Sequence, residues 1–89
     1  MKLKEIVLGT DEESKKRAVQ ENLGQHVILN DVELDAWRHG ILIRNEPRDR
    51  YMVQFDGGGI AVLAYASLKH LLVIENDPNY PRPIIKTIQ

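Results

Sequence analysis

Residues 39–75 read HGILIRNEPRDRYMVQFDGGGIAVLAYASLKHLLVIE, and the punctuation of this stretch decides the fold. Strand-like runs (HGILIRN, RYMVQFD, IAVLAYA, LLVIE) are separated by EPRD, by a triple glycine and by SLKH. In the second run Tyr51, Val53 and Phe55 recur at every other position and share one strand face, with Met52, Gln54 and Asp56 on the other. Pro47 fixes its own φ and biases Glu46 away from helix, so EPRD is a turn. Asp56 to Gly59 supplies the positive φ angles of a tight hairpin. The SLKH run, Ser67 to His70, is long enough for one helical turn only. The pattern is a β-meander.

Upstream, QHVILN at Gln25 to Asn30 reads as a preceding strand, and DVELDAWRHG as a long connection carrying three carboxylates and the single tryptophan. Before it, Ile6, Val7 and Leu8 form a short strand or an apolar lead-in. Thr10 with Glu13 fits a capping box, in which the hydroxyl and the carboxylate each satisfy a first-turn N–H. A helix is therefore predicted from about Asp11 to Leu23, ended by Gly24, with a thin stripe of Ala18, Val19 and Leu23. NDPNYPRPIIKTIQ, residues 76–89, reads as a Pro-rich extended tail with a P-x-x-P spacing at Pro78 and Pro81 followed by Arg82.

This order of elements resembles that of SH3-like small barrels. The likeness spans His26 to Glu75, with DVELDAWRHG in the place of the RT loop, EPRD of the n-Src loop, DGGG of the distal hairpin and SLKH of the short helical turn. The resemblance implies a mainly β protein: a five-stranded SH3-like barrel over residues 25–75, an N-terminal strand and helix extension over 1–24, and the tail over 76–89. The Gly40-Ile41 pair is similar to the end of a KOW motif. A scaffold follows from this likeness, and a ligand does not.

With 89 residues the chain forms one domain with a modest core, burying roughly 60–65% of its unfolded surface. A hydrophobic fraction of 43% and a charged fraction of 28% are those of a globular protein. The net charge of −1 gives no general attraction to nucleic acid or anionic lipid. Without cysteine there is no disulfide, thiolate chemistry or Cys-based zinc site. MKLKEIVLGTDEESKK lacks an apolar run suited to a signal peptide or membrane span, so no membrane partner and a cytoplasmic location are expected.

Strict alternation places Ile41, Ile43, Tyr51, Val53, Phe55, Val62 and Val73 inside the barrel and Leu42, Leu63, Tyr65, Leu72 and Ile74 outside. Strands that are apolar on both faces need cover. It comes either from the N-terminal residues Ile6, Val7, Leu8, Ala18, Val19 and Leu23 with Ile84, Ile85 and Ile88 of the tail, or from a second copy in a homodimer.

Signals for chemistry are sparse. The triple glycine lacks the Lys-Ser/Thr pair and the following helix of a phosphate loop. His26, His39 and His70 have no paired-ligand spacing, and no metal or other cofactor is expected. Ser14 and Ser67 stand in no nucleophile motif. Asp31, Glu33 and Asp35 read as a solvated acidic loop. The chain is thus read as non-enzymatic. Trp37, Arg38, Arg44, Arg48, Arg50 and Tyr51 are the candidate binding residues: the guanidinium fork takes carboxylate or phosphate through paired hydrogen bonds, and aromatic rings anchor a partner or stack on a base. Two functions compete. One is a small protein-interaction or regulatory module, of a size that suits a phage- or plasmid-borne accessory protein, binding another protein or itself. The other is a nucleic-acid binder using the same Arg/Trp patch.

Overall fold

A computed structural model describes residues 2–34 and 36–75. In chain order these form β1 (Lys2–Ile6), α1 (Glu12–Glu21), β2 (His26–Asp31), a 3-10 turn (Val32–Leu34), β3 (Ala36–Glu46), β4 (Arg50–Phe55), β5 (Ile60–Ala64), a second 3-10 turn (Tyr65–Ser67) and β6 (Leu68–Glu75). The strands make one antiparallel sheet in the order β1-β6-β2-β3-β4-β5. The Pro-rich tail, with Ile84, Ile85 and Ile88, lies outside the described residues.

The five-stranded closed barrel is corrected by this topology. β1 adds a sixth strand by pairing with β6, Leu3 opposite Ile74 and Glu5 opposite Leu72. β5 pairs with β4, and among the described residues no ladder joins it to β1 or β6, so the sheet is open. Alternation fixes which side chains share a face, but it carries no information on whether the two end strands meet. The long connection is also shorter than expected. AWRHG already belongs to β3, whose eleven residues run from Ala36 to Glu46 and pair with β2, Trp37 opposite Asn30.

Cross-strand pairing sets the faces. Antiparallel partners share a face, so Tyr51 and Val53 of β4 bring Leu63 and Ala61 of β5, and Val53 and Phe55 bring Leu42 and Gly40 of β3. Val27 and Leu29 of β2 meet Val73 and Leu71 of β6 on the same side. These residues form the core with Tyr65, Leu68 and Val19 from α1, and Ile6, Leu8, Leu34 and Ala61 pack at its margin. Two strands are therefore inverted relative to the sequence reading: Leu42 and Leu63 point into the core, and Ile41 and Val62 point away. In ILI and AVLA either parity is apolar, so periodicity alone leaves the choice to the register of pairing. The register shifts between Leu42 and Arg44, a bulge at Ile43 that restarts the alternation.

α1 covers the Tyr51 face, not the opposite one. Its buried residues are Ala18 and Val19, while Leu23 is at the surface and Val7 is 90% exposed. Lys15 Nζ adds a 3.1 Å bond to the Ala66 carbonyl oxygen. The cap falls one residue later than expected. Asp11, in extended backbone, accepts from Ser14 N at 3.1 Å and from Ser14 Oγ at 2.7 Å, so its carboxylate takes the role assigned to Thr10. These hydrogen bonds hold the Asp11 carboxyl below its ordinary pKa of 3.8. A depressed carboxyl stabilises the fold above that value and loses its contribution as pH falls through the folded-state pKa. Asp11→Ala is expected to lower the urea midpoint at pH 7, with the deficit shrinking as the carboxyl protonates at pH values below 3.8.

Hairpin β3–β4 turns through Arg48 and Asp49, at φ 65° and 54°. They close a three-residue loop, Pro47 to Asp49, inside the Glu46:Arg50 pair, and left-handed backbone of this kind favours Asn and Gly. The double substitution Arg48→Asn, Asp49→Gly is expected to raise stability by about 1 kcal/mol, or roughly 4–8 °C in Tm. Unchanged or lowered Tm would show that these residues sit there without strain.

Tyr51 and Tyr65 stack in the core, ring centroids 5.3 Å apart. Burial pushes the Tyr51 phenol well above its ordinary 10.0, and the adjoining Asp31 adds to it. Burial lifts Tyr65 to about 12, with the charge of Asp49 contributing. Both folded-state values exceed the unfolded one, so this stability is complete below pH 10 and declines as pH rises through 12, because the unfolded chain releases protons that the folded chain keeps. The expected slope is up to about 1.4 kcal/mol per pH unit per tyrosine, readable from urea midpoints between pH 9.5 and 11.5. Among the described residues no helix is long and apolar enough to cross a membrane.

Candidate binding groove at the start of β3

One groove of about 390 Å³ is lined by Trp37, Arg38 and His39 of β3 and by Phe55, Asp56, Gly57 and Gly59 at the β4–β5 hairpin. β3 builds it by presenting three consecutive exposed residues; since strand neighbours alternate sides, Trp37 and His39 point one way and Arg38 the other. The hairpin is tied by Phe55 N to Gly59 O at 2.7 Å and Gly58 N to Phe55 O at 2.8 Å, and to β3 by Asp56 N to His39 O at 3.1 Å. Gly58, at φ 97°, takes the left-handed position in this loop.

The side chains around it are braced. Trp37 is 49% exposed and stacks on His70 of β6, centroids 5.4 Å apart and planes 24° apart. The Arg38 guanidinium carbon lies 4.5 Å from the centroid of the Phe55 ring, a cation–π arrangement that leaves its N–H edge for an anion. His26, buried, makes contacts of 3.0 and 3.1 Å with the two Asp56 carboxylate oxygens and fixes the hairpin from beneath.

The six sequence-derived residues do not form one patch. Trp37 and Arg38 share this groove. Arg44, Arg48 and Arg50 sit toward the opposite end of the β3–β4 hairpin, roughly 20–30 Å along the strand at 3.3 Å per residue. There Arg44 Nε bonds Glu46 Oε1 at 2.7 Å, Arg50 Nε bonds the Pro47 carbonyl at 3.1 Å, and Arg48 occupies the turn. Tyr51 is fully buried, its hydroxyl donating to Asp31 Oδ2 at 2.8 Å, so its ring is not offered to a ligand. Sequence reasoning missed Phe55 and His70 as groove-side residues. Phe55 was assigned to the core, where its ring indeed lies, and His70 reaches Trp37 only because β6 and β3 flank β2. Neither signal exists in one dimension. Asp31 is not a solvated loop carboxylate: it is fully buried, with Oδ1 accepting from Glu33 N at 3.0 Å. No group of three or more His, Asp or Glu residues able to hold a metal occurs among the described residues.

What fold and groove define together is a small helix-covered antiparallel sheet with an aromatic and cationic recess at one strand end. The chain matches no protein-family model, no curated protein and no solved structure.

Proposed function

We propose that the protein is a small non-enzymatic interaction module that captures a segment of another protein in the groove beside Trp37, as a regulatory or accessory factor. One observation carries this reading: the only tryptophan is held half exposed by a stack on His70 instead of being buried in the core. An indole fixed at a rim gains most by burial against a partner, which is why tryptophan and arginine dominate binding hot spots. The complementary segment brings an apolar or aromatic side chain to Trp37 and a carboxylate to Arg38.

The test is selection from a displayed random-peptide library, with affinities read by fluorescence anisotropy. Binders should share an acidic residue next to an apolar one, and Trp37→Ala should weaken them roughly 30-fold, the equivalent of about 2 kcal/mol, without changing Tm. Failure to select any peptide, or binders indifferent to Trp37→Ala, would defeat the proposal. Labelled single-stranded and duplex oligonucleotides at low salt provide the contrast. The dispersal of Arg44, Arg48 and Arg50 away from Trp37 argues for no binding there. Steeply salt-dependent binding lost in the Arg44→Ala, Arg48→Ala, Arg50→Ala variant would favour a nucleic-acid partner instead.

A further inference from the structure

We propose that two copies of this chain associate edge to edge through β5, joining their sheets across a twofold axis at Ala61. The two edges of the sheet differ in chemistry. β1 is guarded by Lys2, Lys4 and Glu5, the charged residues that keep an edge strand from templating another. β5 reads IAVLA and carries no charge, and its Ile60 and Val62 are 52% and 39% exposed.

The backbone geometry fixes which groups are on offer. The Phe55 N to Gly59 O bond, continued along the Gln54–Ile60 to Arg50–Ala64 register, makes Val53:Ala61 and Tyr51:Leu63 the hydrogen-bonded pairs. The N–H and C=O groups of Ile60, Val62 and Ala64 therefore point away from β4. Ala64 N is already taken by Glu33 Oε2 at 3.1 Å. That carboxylate stops the edge at Ala64 and leaves Ile60 and Val62 as the two residues with outward donors and acceptors. An antiparallel β5–β5′ ladder that uses these two, and spares Ala64, places Ile60 opposite Val62 of the second copy and Val62 opposite its Ile60, with Ala61 facing Ala61. It forms four backbone hydrogen bonds and two Ile–Val cross-strand contacts, from groups that have no backbone partner among the described residues. At the ends the partner strand passes beside Gly58, where even an added Cβ would meet nothing within 4 Å.

A second copy fits this edge better than a foreign strand. The ladder is its own complement, as an isologous twofold interface requires, and no charge on β5 selects another sequence. A contact of one short strand falls at the small end of protein interfaces, below about 1,200 Å², so association is concentration-dependent.

Light scattering from roughly 10 µM to 1 mM should show the mass rising from 10.2 kDa toward twice that value. Val62→Lys should hold it at the single-chain mass at every concentration. Because the chain has no cysteine, Ala61→Cys gives a second readout that does not depend on affinity. Non-hydrogen-bonded antiparallel pairs bring Cα atoms to about 4.5 Å, within disulfide range, so under diamide Ala61→Cys should cross-link at least tenfold faster than Val7→Cys, whose site is 90% exposed. Constant single-chain mass with equal cross-linking rates, or a dimer that survives Val62→Lys, would overturn the proposal. Trp37→Ala should leave the mass profile unchanged, which separates this interface from the peptide groove.

Discussion

Gly40→Ala is expected to lower stability by about 3 kcal/mol and Tm by roughly 12–24 °C, although it adds a single methyl group. Gly40 lies in the long strand β3, opposite Phe55 of β4 and Val27 of β2. A Cβ there would run into the carbonyl oxygen of Gln54 and come within 3.1 Å of the Gln54 carbonyl carbon and Phe55 Cα. All three are backbone atoms, so no rotamer change relieves the clash; β3 and β4 would have to separate at the hairpin end that carries Arg38 and Phe55. Gly57→Ala is the control. Its Cβ meets nothing within 4 Å and its φ is not left-handed, so the expected change is zero to a few tenths of a kcal/mol of stabilisation. Urea unfolding distinguishes the two, and equal effects would mean that β3 and β4 are not in close approach at this position. Because the same contact shapes the groove, any Gly40→Ala protein that folds should also lose peptide binding.

Asp31→Ala should cost about 2–4 kcal/mol, Tyr51→Phe about 1–3 kcal/mol, and Tyr65→Phe nothing. The first two break a buried polar unit. Tyr51 Oη donates to Asp31 Oδ2, the other carboxylate oxygen takes the Glu33 N–H, and Asp31 and Tyr51 are both fully buried. Removing the carboxylate leaves the buried Tyr51 hydroxyl and the part-buried Glu33 N–H without their acceptor, whereas removing the hydroxyl leaves one acceptor half satisfied. Tyr65, stacked on Tyr51, is different. Its hydroxyl is buried with no hydrogen-bond partner among the described residues, so at pH 7 its deletion removes a polar atom that makes no hydrogen bond. Midpoints should shift at constant m-value, and Tyr51→Phe should also lose one tyrosine's share of the alkaline slope. A Tyr65→Phe loss as large as that of Tyr51→Phe would show that the two hydroxyls are equally satisfied.

Much of the sheet was legible one strand at a time. Tyr51, Val53 and Phe55 do line the core, Val73 does oppose Leu72 and Ile74, and the triple glycine does close a hairpin. What failed was parity in β3 and β5, where ILI and AVL are apolar in either phase and a bulge at Ile43 intervenes. The grouping of the candidate binding residues came apart for a related reason. Proximity in sequence put Trp37 and Arg50 in one cluster, while an extended strand carries them to opposite ends of a hairpin. Asp31 looked like part of an acidic loop because nothing local announces that a tyrosine twenty residues on will bury its hydroxyl against it.

Composition and period thus determined by themselves that this is a small antiparallel β protein with an N-terminal helix, held without disulfides and apolar on both sheet faces. Those properties are local, set by side-chain alternation, turn chemistry and the lack of thiols. Only tertiary structure decided that β1 joins β6, that among the described residues the sheet is open with one charged edge and one uncharged edge, and that Trp37 rests on His70 beside Arg38. Each depends on pairing between strands far apart in the chain, where backbone hydrogen bonds are the same for every residue and register is chosen by the whole core at once.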